Sequence, residues 1–177
     1  LIENINVAHY ADVDTLLANE KIDFAVVATP TSTHLEVARK LLQNGVHLLV
    51  EKPIAKNSAA AKEMVKIAHK NNCKLVVGHI ERFNPAIQAV LPRLKNEHVI
   101  HYEASRMSGY PTRITDVGVK LDLSIHDVDL MSLLSPSNIE ECYSLESVNV
   151  HDNDDDAVFI MKFYNGALAT IRTSWLF

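Results

Sequence analysis

Two short groups of residues in this sequence have the types and the spacing that acid–base chemistry requires. Lys52 belongs to the segment Glu51-Lys52-Pro53, which directly follows an apolar run, so its ammonium group stands at the end of a predicted strand, where it can reach a bound molecule. Asp122 and His126 are four residues apart, a spacing that puts two side chains on one face of a helix. A carboxylate beside an imidazole orients the ring to act as a general base. These three side chains are therefore the candidate catalytic residues.

Each of these residues also has a plainer interpretation. A lysine at the end of a strand is commonly a surface residue, although Pro53 restricts the backbone of Lys52 to extended conformations. An aspartate and a histidine at this spacing can form an ion pair that only stabilises the helix, or the histidine can be buried beside a neighbour. The spacing alone leaves these interpretations open.

The first half of the chain alternates strands and helices. Two apolar runs each end abruptly in polar residues: Thr29, Pro30 and His34 follow the first run, as the segment 51–53 follows the second. Such runs predict a parallel sheet with a ligand cleft at its carboxyl edge. The second helix begins at a predicted capping box, Thr33-x-x-Glu36. The predicted strands are 22–28, 46–50 and 74–78, and the predicted helices are 12–19, 33–44, 57–72 and one that starts at Asn84-Pro85.

The second half changes character after about residue 96. It is rich in β-branched and aromatic residues, and Asn165-Gly166 is a strong hairpin turn between two predicted strands. The predicted strands are 98–107, 141–150, 157–164 and 167–175, with one helix at 121–134. We therefore predict an α/β fold with two domains: an incomplete Rossmann-type parallel sheet over 1–95, then part of an α+β domain with a mainly antiparallel sheet over 96–177.

Four segments of the sequence occur together in one enzyme family. They are Ala-Thr-Pro-Thr-Ser-Thr-His at 28–34, Val-Glu-Lys-Pro at 50–53, Gly-His-Ile-Glu-Arg-Phe-Asn-Pro at 78–85 and Asp-Leu-Ser-Ile-His-Asp at 122–127. In this order and spacing they resemble the glucose-fructose oxidoreductase / inositol dehydrogenase / MocA (Gfo/Idh/MocA) family, and the likeness covers nearly the whole chain. The resemblance implies a dehydrogenase that uses NAD or NADP and oxidises a secondary hydroxyl of a sugar, a sugar nucleotide or a polyol. The third segment is similar to members that oxidise the 3-hydroxyl of UDP-N-acetylglucosamine, which makes that compound the expected substrate.

The resemblance also implies roles for individual residues. Lys52, Asp122 and His126 converge at the substrate in this family, so we expect His126 to be the base, Asp122 to orient it and Lys52 to hydrogen-bond the reacting oxygen. The loop after the first apolar run lies against the pyrophosphate and the nicotinamide ribose in the family, and the segment around Arg82 borders the nicotinamide. The expected cofactor-binding residues are Thr29, Pro30, His34, Glu51, Lys52, Pro53 and Arg82. No metal is expected.

The resemblance further implies that the chain is a middle section of a longer enzyme. The family begins with a strand, a Gly-rich turn and a helix that hold the cofactor pyrophosphate, and nothing here matches Gly-x-Gly-x-x-Gly. We therefore expect the 177-residue chain by itself to be inactive and to bind NAD(H) weakly or not at all. The choice between NAD and NADP stays open, because the residues that distinguish them would lie in that first part.

Composition and patterning bear on partners and location. A net charge of −5 argues against a nucleic-acid-binding protein, which would carry a basic face. No apolar run reaches the roughly 20 residues that a membrane helix needs, and no segment has the pattern that predicts a signal peptide. Two isolated cysteines favour a reduced protein, and we expect a cytoplasmic one. Large apolar residues on both faces of the strand 157–164 predict a homodimer or homotetramer joined through the second sheet, as the family also implies.

Two other functions stay open at this stage. A non-catalytic relative could bind NAD(P) as a sensor or regulator, although it would have no need of Lys52, Asp122 and His126. A metal-assisted hydrolase could use Asp122, His126 and Asp129 as ligands, although no Cys or second His completes the set at ligand spacing.

The acidic stretch 151–156 is not an EF-hand calcium loop. A loop that begins at Asp152 would need glycine and glutamate where the sequence has Ala157 and Phe163. We interpret this stretch as a solvated turn between two strands.

Overall fold

The computed structural model describes residues 7–177 and divides the chain after Gly78 into two units. The sequence predicted the boundary near residue 95, which placed the preceding helix in the first domain. In the structure this helix belongs to the second unit, where Leu91 and Leu133 line one cavity of about 390 Å³. The order of strands and helices could not reveal this, because the helix continues the alternation of the first unit without a break.

A parallel three-stranded sheet forms the centre of the first unit, as predicted. The strand order is β1-β2-β3, and Val27, Val50 and Val77 are register partners at the ends of the three strands. All three strands therefore end at the same edge of the sheet. The elements are α1 (Val13–Asn19), β1 (Phe24–Val27), α2 (His34–Gln43), β2 (His47–Val50), α3 (Ser58–Lys70) and β3 (Leu75–Val77).

Helix α2 covers this sheet with an apolar face. Ala38, Leu41 and Leu42 are buried, lie at helical spacing and join the core of the first unit. The helix ends at Asn44, and Gly45 then turns the chain with a φ of +79°, in the left-handed region that favours glycine. The predicted end of this helix is thus confirmed.

The predicted capping box at the start of α2 is wrong. Residues Thr31–Thr33 form a turn of 3₁₀-helix, and the Thr33 side chain makes no hydrogen bond to the first turn of α2. Its hydroxyl instead lies 2.8 Å from Thr29 Oγ1 and 2.8 Å from the Pro30 carbonyl oxygen. Thr33 therefore organises the loop before the helix, because the hydroxyl finds its partners there.

The second unit contains a four-stranded sheet in the order β4-β7-β6-β5. The β5–β6 and β6–β7 pairs are antiparallel, whereas β4 lies parallel to β7, so the predicted mainly antiparallel sheet is confirmed. Asn165-Gly166 makes the predicted hairpin turn, with a φ of +88° at Gly166. The elements are α4 (Pro85–Leu94), β4 (His101–Met107), α5 (Ile125–Leu134), β5 (Ile139–Ser147), β6 (Asp156–Phe163) and β7 (Leu168–Ser174).

One face of this sheet holds the core of the second unit. Along β6 the residues Phe159, Met161 and Phe163 are buried, and the residues between them are exposed. The predicted helix 121–134 consists of two parts, a π-helical turn over Lys120–Ser124 and the α-helix α5. Within the described residues 7–177, no helix has the length and apolar character needed to cross a bilayer.

Candidate active site

The carboxyl edge of the first sheet brings most of the predicted cofactor residues together. The Glu51 N–H donates to the Val27 carbonyl oxygen at 2.9 Å, and the Gly78 N–H donates to the Val50 carbonyl oxygen at 2.8 Å. The sheet pairing thus continues one residue past the strands. Because β1 and β2 are paired up to this point, the loop after β1 runs beside the segment 51–53. Thr29, in that loop, is exposed.

Lys52 is half-buried in that segment, and its peptide bond to the buried Pro53 is cis. The Glu51 carboxylate accepts the Lys52 N–H at 3.3 Å and packs against the bare Cα of Gly78. A Cβ atom at Gly78 would lie 3.2 Å from Glu51 Oε2, so glycine leaves room for this carboxylate. The side chain of Glu51 thus packs against Gly78, the residue that follows β3.

His34 lies between the two loops. Its side chain is buried, with 1% of its surface exposed. Nδ1 lies 3.1 Å from the Pro53 carbonyl oxygen, and Nε2 lies 2.9 Å from the Thr29 carbonyl oxygen. Both ring nitrogens therefore face backbone oxygens of the chain, and the cofactor contact assigned to His34 from the sequence stays a prediction.

In the second unit, Asp122 lies in the π-helical turn and His126 in the first turn of α5. Asp122 is buried, and His126 is half-buried. Single π-helical turns are rare and often occur at functional sites. At the end of the turn, Ser124 Oγ lies 2.5 Å from Thr173 Oγ1 of β7, and both residues are fully buried.

Asp154 holds the start of this π-helical turn. Its carbonyl oxygen accepts the Val119 N–H at 2.7 Å, and its carboxylate accepts the Lys120 N–H at 2.8 Å. The carboxylate also fills the space beside Gly118, where a Cβ atom would lie only 2.0 Å from Asp154 Oδ1. A residue 32 positions beyond Asp122 thus fixes the element that carries it.

Two arginine–aspartate pairs hold the next turn of α5. Arg106 of β4 donates from Nε and Nη2 to Asp127 at 3.0 and 2.9 Å, and Arg82 donates from Nε and Nη2 to Asp129 at 2.8 and 2.6 Å. These hydrogen bonds raise the pKa of each guanidinium further above its usual value. The assignment of Arg82 to the cofactor stays a prediction, and the observed partner of its guanidinium is Asp129.

Glu81 is a further charged residue near His126 that the sequence did not single out. The Asn84 amide donates to Glu81 Oε2, and this bond, with the charge of Arg106, holds the pKa of Glu81 below its usual value. Glu81 Oε1 lies 3.5 Å from Arg106 Nη1. The position of Glu81 within the segment 78–85 was the only signal in the sequence, and Arg106 had none.

The ligand set considered for a hydrolase is not assembled in the described part of the chain. Asp129, one of its three members, is held by Arg82. Among residues 7–177, no three His, Cys, Asp or Glu side chains are grouped so that they could hold a metal ion.

Two family models match the two parts of the chain. The model described as "Oxidoreductase family, NAD-binding Rossmann fold" matches residues 1–79, and the model of the "GFO/IDH/MocA C-terminal domain" matches residues 98–177. The chain belongs to the Gfo/Idh/MocA oxidoreductase family. The resemblance that the four sequence segments indicated is thereby confirmed.

Relatives in the Gfo/Idh/MocA family include named dehydrogenases. The UDP-N-acetylglucosamine 3-dehydrogenase of Acidithiobacillus ferrooxidans is 34% identical over 171 residues, which are 93% of this chain and 52% of that protein. A solved structure of that enzyme matches with a TM-score of 0.83 and 34% identity, over 96% of this chain and 55% of the other. The myo-inositol 2-dehydrogenase of Thermotoga maritima is 26% identical over 178 residues, which are 93% of this chain and 53% of that protein. The chain spans about half the length of these relatives.

The edge of the first sheet has groups that suit the cofactor of the Gfo/Idh/MocA family. Thr29 and Ser32 carry hydroxyls on exposed positions of the loop after β1, and Lys52 places an ammonium group after β2. Hydroxyl, ammonium and backbone groups at the carboxyl edge of a parallel sheet are what a dinucleotide meets in such folds. The residues present thus fit the ribose and nicotinamide side of an NAD molecule.

Proposed function

We propose that the protein is a dehydrogenase that uses a nicotinamide cofactor to oxidise a secondary hydroxyl of a sugar or sugar nucleotide. One observation carries the proposal: a chain of the Gfo/Idh/MocA family has Lys52 at the carboxyl edge of its parallel sheet and the pair Asp122 and His126 on a helix held by buried bonds. A sensor without catalysis would not need this set of acid–base groups.

The proposed reaction assigns one task to each of these side chains. Oxidation of a secondary alcohol removes a proton from oxygen and a hydride from carbon. His126 takes the hydroxyl proton on a ring nitrogen, and Asp122 orients the ring and stabilises the imidazolium that results. Lys52 donates a hydrogen bond to the reacting oxygen and stabilises the negative charge that develops there. Bound NAD, held by Thr29 and the segment 51–53, supplies the hydride acceptor.

Substitution of Lys52 and His126 tests these roles. In the protein expressed from its complete gene, Lys52→Ala and His126→Ala should each lower kcat by roughly 10²-fold, as expected for loss of a positioned acid–base group. Lys56→Ala and His69→Ala, at exposed positions of the first unit, serve as controls and should keep wild-type kcat. Wild-type turnover by His126→Ala across neutral and alkaline pH would show that His126 is not the base.

Within this class we propose a sugar nucleotide of the UDP-N-acetylglucosamine type, with its 3-hydroxyl as the reacting group. The support is the 34% identical relative that carries this name, against 26% for the myo-inositol 2-dehydrogenase. Purified protein with NAD should form NADH with UDP-N-acetylglucosamine and not with myo-inositol. Turnover of myo-inositol alone would assign the protein to the polyol branch of the family instead.

We also propose that the protein is a homodimer or homotetramer joined through the open face of the second sheet. Tyr143 and Ile160 are neighbours on this face, as are Leu145 and Val158, and Leu168 extends the patch on β7. Exposed fractions of 67%, 81% and 52% for Tyr143, Leu145 and Ile160 are high for side chains of this size. A second copy related by a two-fold axis would cover the patch with the same residues.

Light scattering on matched variants tests this assembly. Ile160→Asp should convert the oligomer to a monomer at tens of micromolar protein, because it places a charge inside the apolar patch. Val65→Asp is the control, since Val65 on α3 is exposed to 51% and Ile160 to 52%, and Val65 lies on the other unit. A wild-type protein that is monomeric at this concentration would contradict the proposal.

A further inference from the structure

The loop 108–119 connects one edge of the second sheet to the candidate catalytic residues of the second unit. Met107 of β4 and Ser174 of β7 are register partners, so these two parallel strands end at the same edge. The π-helical turn lies at this edge too, because its Ser124 bonds to Thr173, the neighbour of Ser174. The loop joins the end of β4 to that turn, so its side chains stand at the edge where the proposed reaction takes place.

Ring contacts and hydrogen bonds hold this loop in place. Tyr110 stacks on His151, with ring centroids 3.6 Å apart and planes 5° from parallel. The Tyr110 hydroxyl donates to the Ile114 carbonyl oxygen at 3.3 Å, and the Ile114 N–H donates to the Pro111 carbonyl oxygen at 2.9 Å. The last bond closes a turn that contains Arg113. The backbone of Arg113 is therefore fixed on both sides.

The side chain of Arg113 differs from other basic side chains near this edge. Arg106 pairs with Asp127, and Lys120 pairs with Glu146. Arg113 is exposed, and among the residues that the structure describes its guanidinium takes part in no ion pair or hydrogen bond. A fixed turn thus presents an arginine that has all of its donors available to a bound molecule.

Nearby aspartates have partners other than Arg113. Asp154 and Asp155 accept backbone N–H groups at 2.8 and 2.7 Å. Asp156 Oδ2 lies 3.7 Å from the guanidinium of Arg172. The negative charges of the loop before β6 are therefore balanced by groups of their own.

We propose that Arg113 is a specificity-determining residue, whose guanidinium binds the diphosphate of a sugar nucleotide substrate. A planar guanidinium fits phosphate oxygens with two parallel hydrogen bonds, which a lysine ammonium group cannot form. The inference rests on the proposed dehydrogenase function and on its sugar nucleotide class, because a polyol or a free sugar would give Arg113 no phosphate to bind.

Steady-state kinetics with two matched substrates tests this role on the protein expressed from its complete gene. Arg113→Gln should raise the KM for UDP-N-acetylglucosamine by about 10- to 100-fold, the value of hydrogen bonds to a charged group. The kcat should stay near wild type, because the diphosphate is bound equally in the ground state and the transition state. With N-acetylglucosamine, which has no phosphate, kcat/KM should be the same in Arg113→Gln and wild type. Arg113→Lys, which keeps the charge and loses the paired hydrogen bonds, should give an intermediate KM.

A binding measurement does not depend on turnover. Calorimetry in the presence of NADH should show that Arg113→Gln raises the Kd for UDP by about 10- to 100-fold, and the Kd for NADH itself should not change. The control variant is Arg93→Gln on α4. Arg93 is also exposed and, within the described part of the chain, also makes no ion pair, so this variant should change neither Kd.

The outcomes separate the role of Arg113 from the proposed reaction. Equal Kd values for UDP in Arg113→Gln and wild type, in a protein that oxidises UDP-N-acetylglucosamine, would overturn the role and leave the reaction standing. A wild-type protein that binds no UDP, or a variant that weakens NADH binding and not UDP binding, would also overturn it. Weakened UDP binding by Arg113→Gln, in a protein that oxidises no sugar nucleotide, would support the diphosphate site and contradict the proposed reaction.

Discussion

Replacing Asp155 by asparagine removes a buried negative charge from the loop that joins β5 to β6. The Asp155 carboxylate is fully buried and accepts the N–H groups of Val150 at 2.7 Å, Asn149 at 3.1 Å and His151 at 3.3 Å. The Asn149 amide donates a further bond at 2.8 Å. The sequence had predicted a solvated turn here, and this prediction is wrong for Asp155, because the loop folds around its carboxylate.

These contacts set the acidity of Asp155. Burial alone would raise the pKa of the carboxyl, but the bonds from Val150, Asn149 and His151 outweigh it and lower the pKa from 3.8 to about 2. Each unit of difference between folded and unfolded pKa values corresponds to about 1.4 kcal/mol, so ionised Asp155 stabilises the fold by about 2.5 kcal/mol. Since the folded pKa is the lower one, this stability is present above pH 3.8 and is lost as the pH falls towards about 2.

Urea unfolding at a series of pH values measures this contribution. At pH 5 the Asp155→Asn variant should be less stable than wild type by about 2.5 kcal/mol or more, and the difference should shrink by about 2 kcal/mol when the pH reaches 2, where the wild-type carboxyl is half protonated. Asp152→Asn, at an exposed position of the same loop, should stay within about 0.5 kcal/mol of wild type throughout. A difference between Asp155→Asn and wild type that is constant over this pH range would refute the reasoning.

Two further predictions concern the supports of α5. Gly118→Ala should destabilise the fold by about 2 kcal/mol, because the added methyl group clashes with Asp154. In an Asp154→Ala background this loss of stability should be smaller, which a double-mutant cycle of urea unfolding measures. If the losses of stability from the two substitutions simply add, the close contact does not contribute. Arg106→Lys should lower the free energy of unfolding by about 2 kcal/mol, because lysine cannot form both hydrogen bonds to the buried Asp127. The control Arg93→Lys, at an exposed position, should leave the free energy of unfolding almost unchanged. Equal unfolding midpoints for Arg106→Lys and wild type would contradict this prediction.

The parts of the fold that were predictable from the sequence depend on local patterns. The apolar runs and the Asn165-Gly166 turn have signals within a few residues, and the strands and the hairpin formed as expected. The four segments identified the family because their residue types, order and spacing can be read directly from the sequence. The edge of the first sheet was predictable for the same reason, since the ends of parallel strands meet by geometry.

The features that were missed depend on contacts between distant residues. Hydrophobic periodicity does not distinguish a π-helical turn from an α-helical one, and the partner that fixes the turn over Lys120–Ser124 is Asp154. Asp155 gave no sign of burial, because all six residues of the stretch 151–156 are polar and four of them are aspartates. Nothing in the sequence indicated that α4 is grouped with the second unit, because packing of α4, and not its order in the chain, decides its unit.

The supports of the candidate catalytic residues differ between the two units. Lys52 follows a backbone support, since the sheet pairing at Glu51 acts through the Glu51 N–H and the Val27 carbonyl oxygen. Asp122 and His126 are placed by side chains, which are the Asp154 carboxylate, the Thr173 hydroxyl and the two arginine pairs. A backbone support tolerates most substitutions around it, whereas a side-chain support fails when one partner changes. Single substitutions far from the candidate site should therefore disturb the helix of the second unit more readily than the lysine edge of the first.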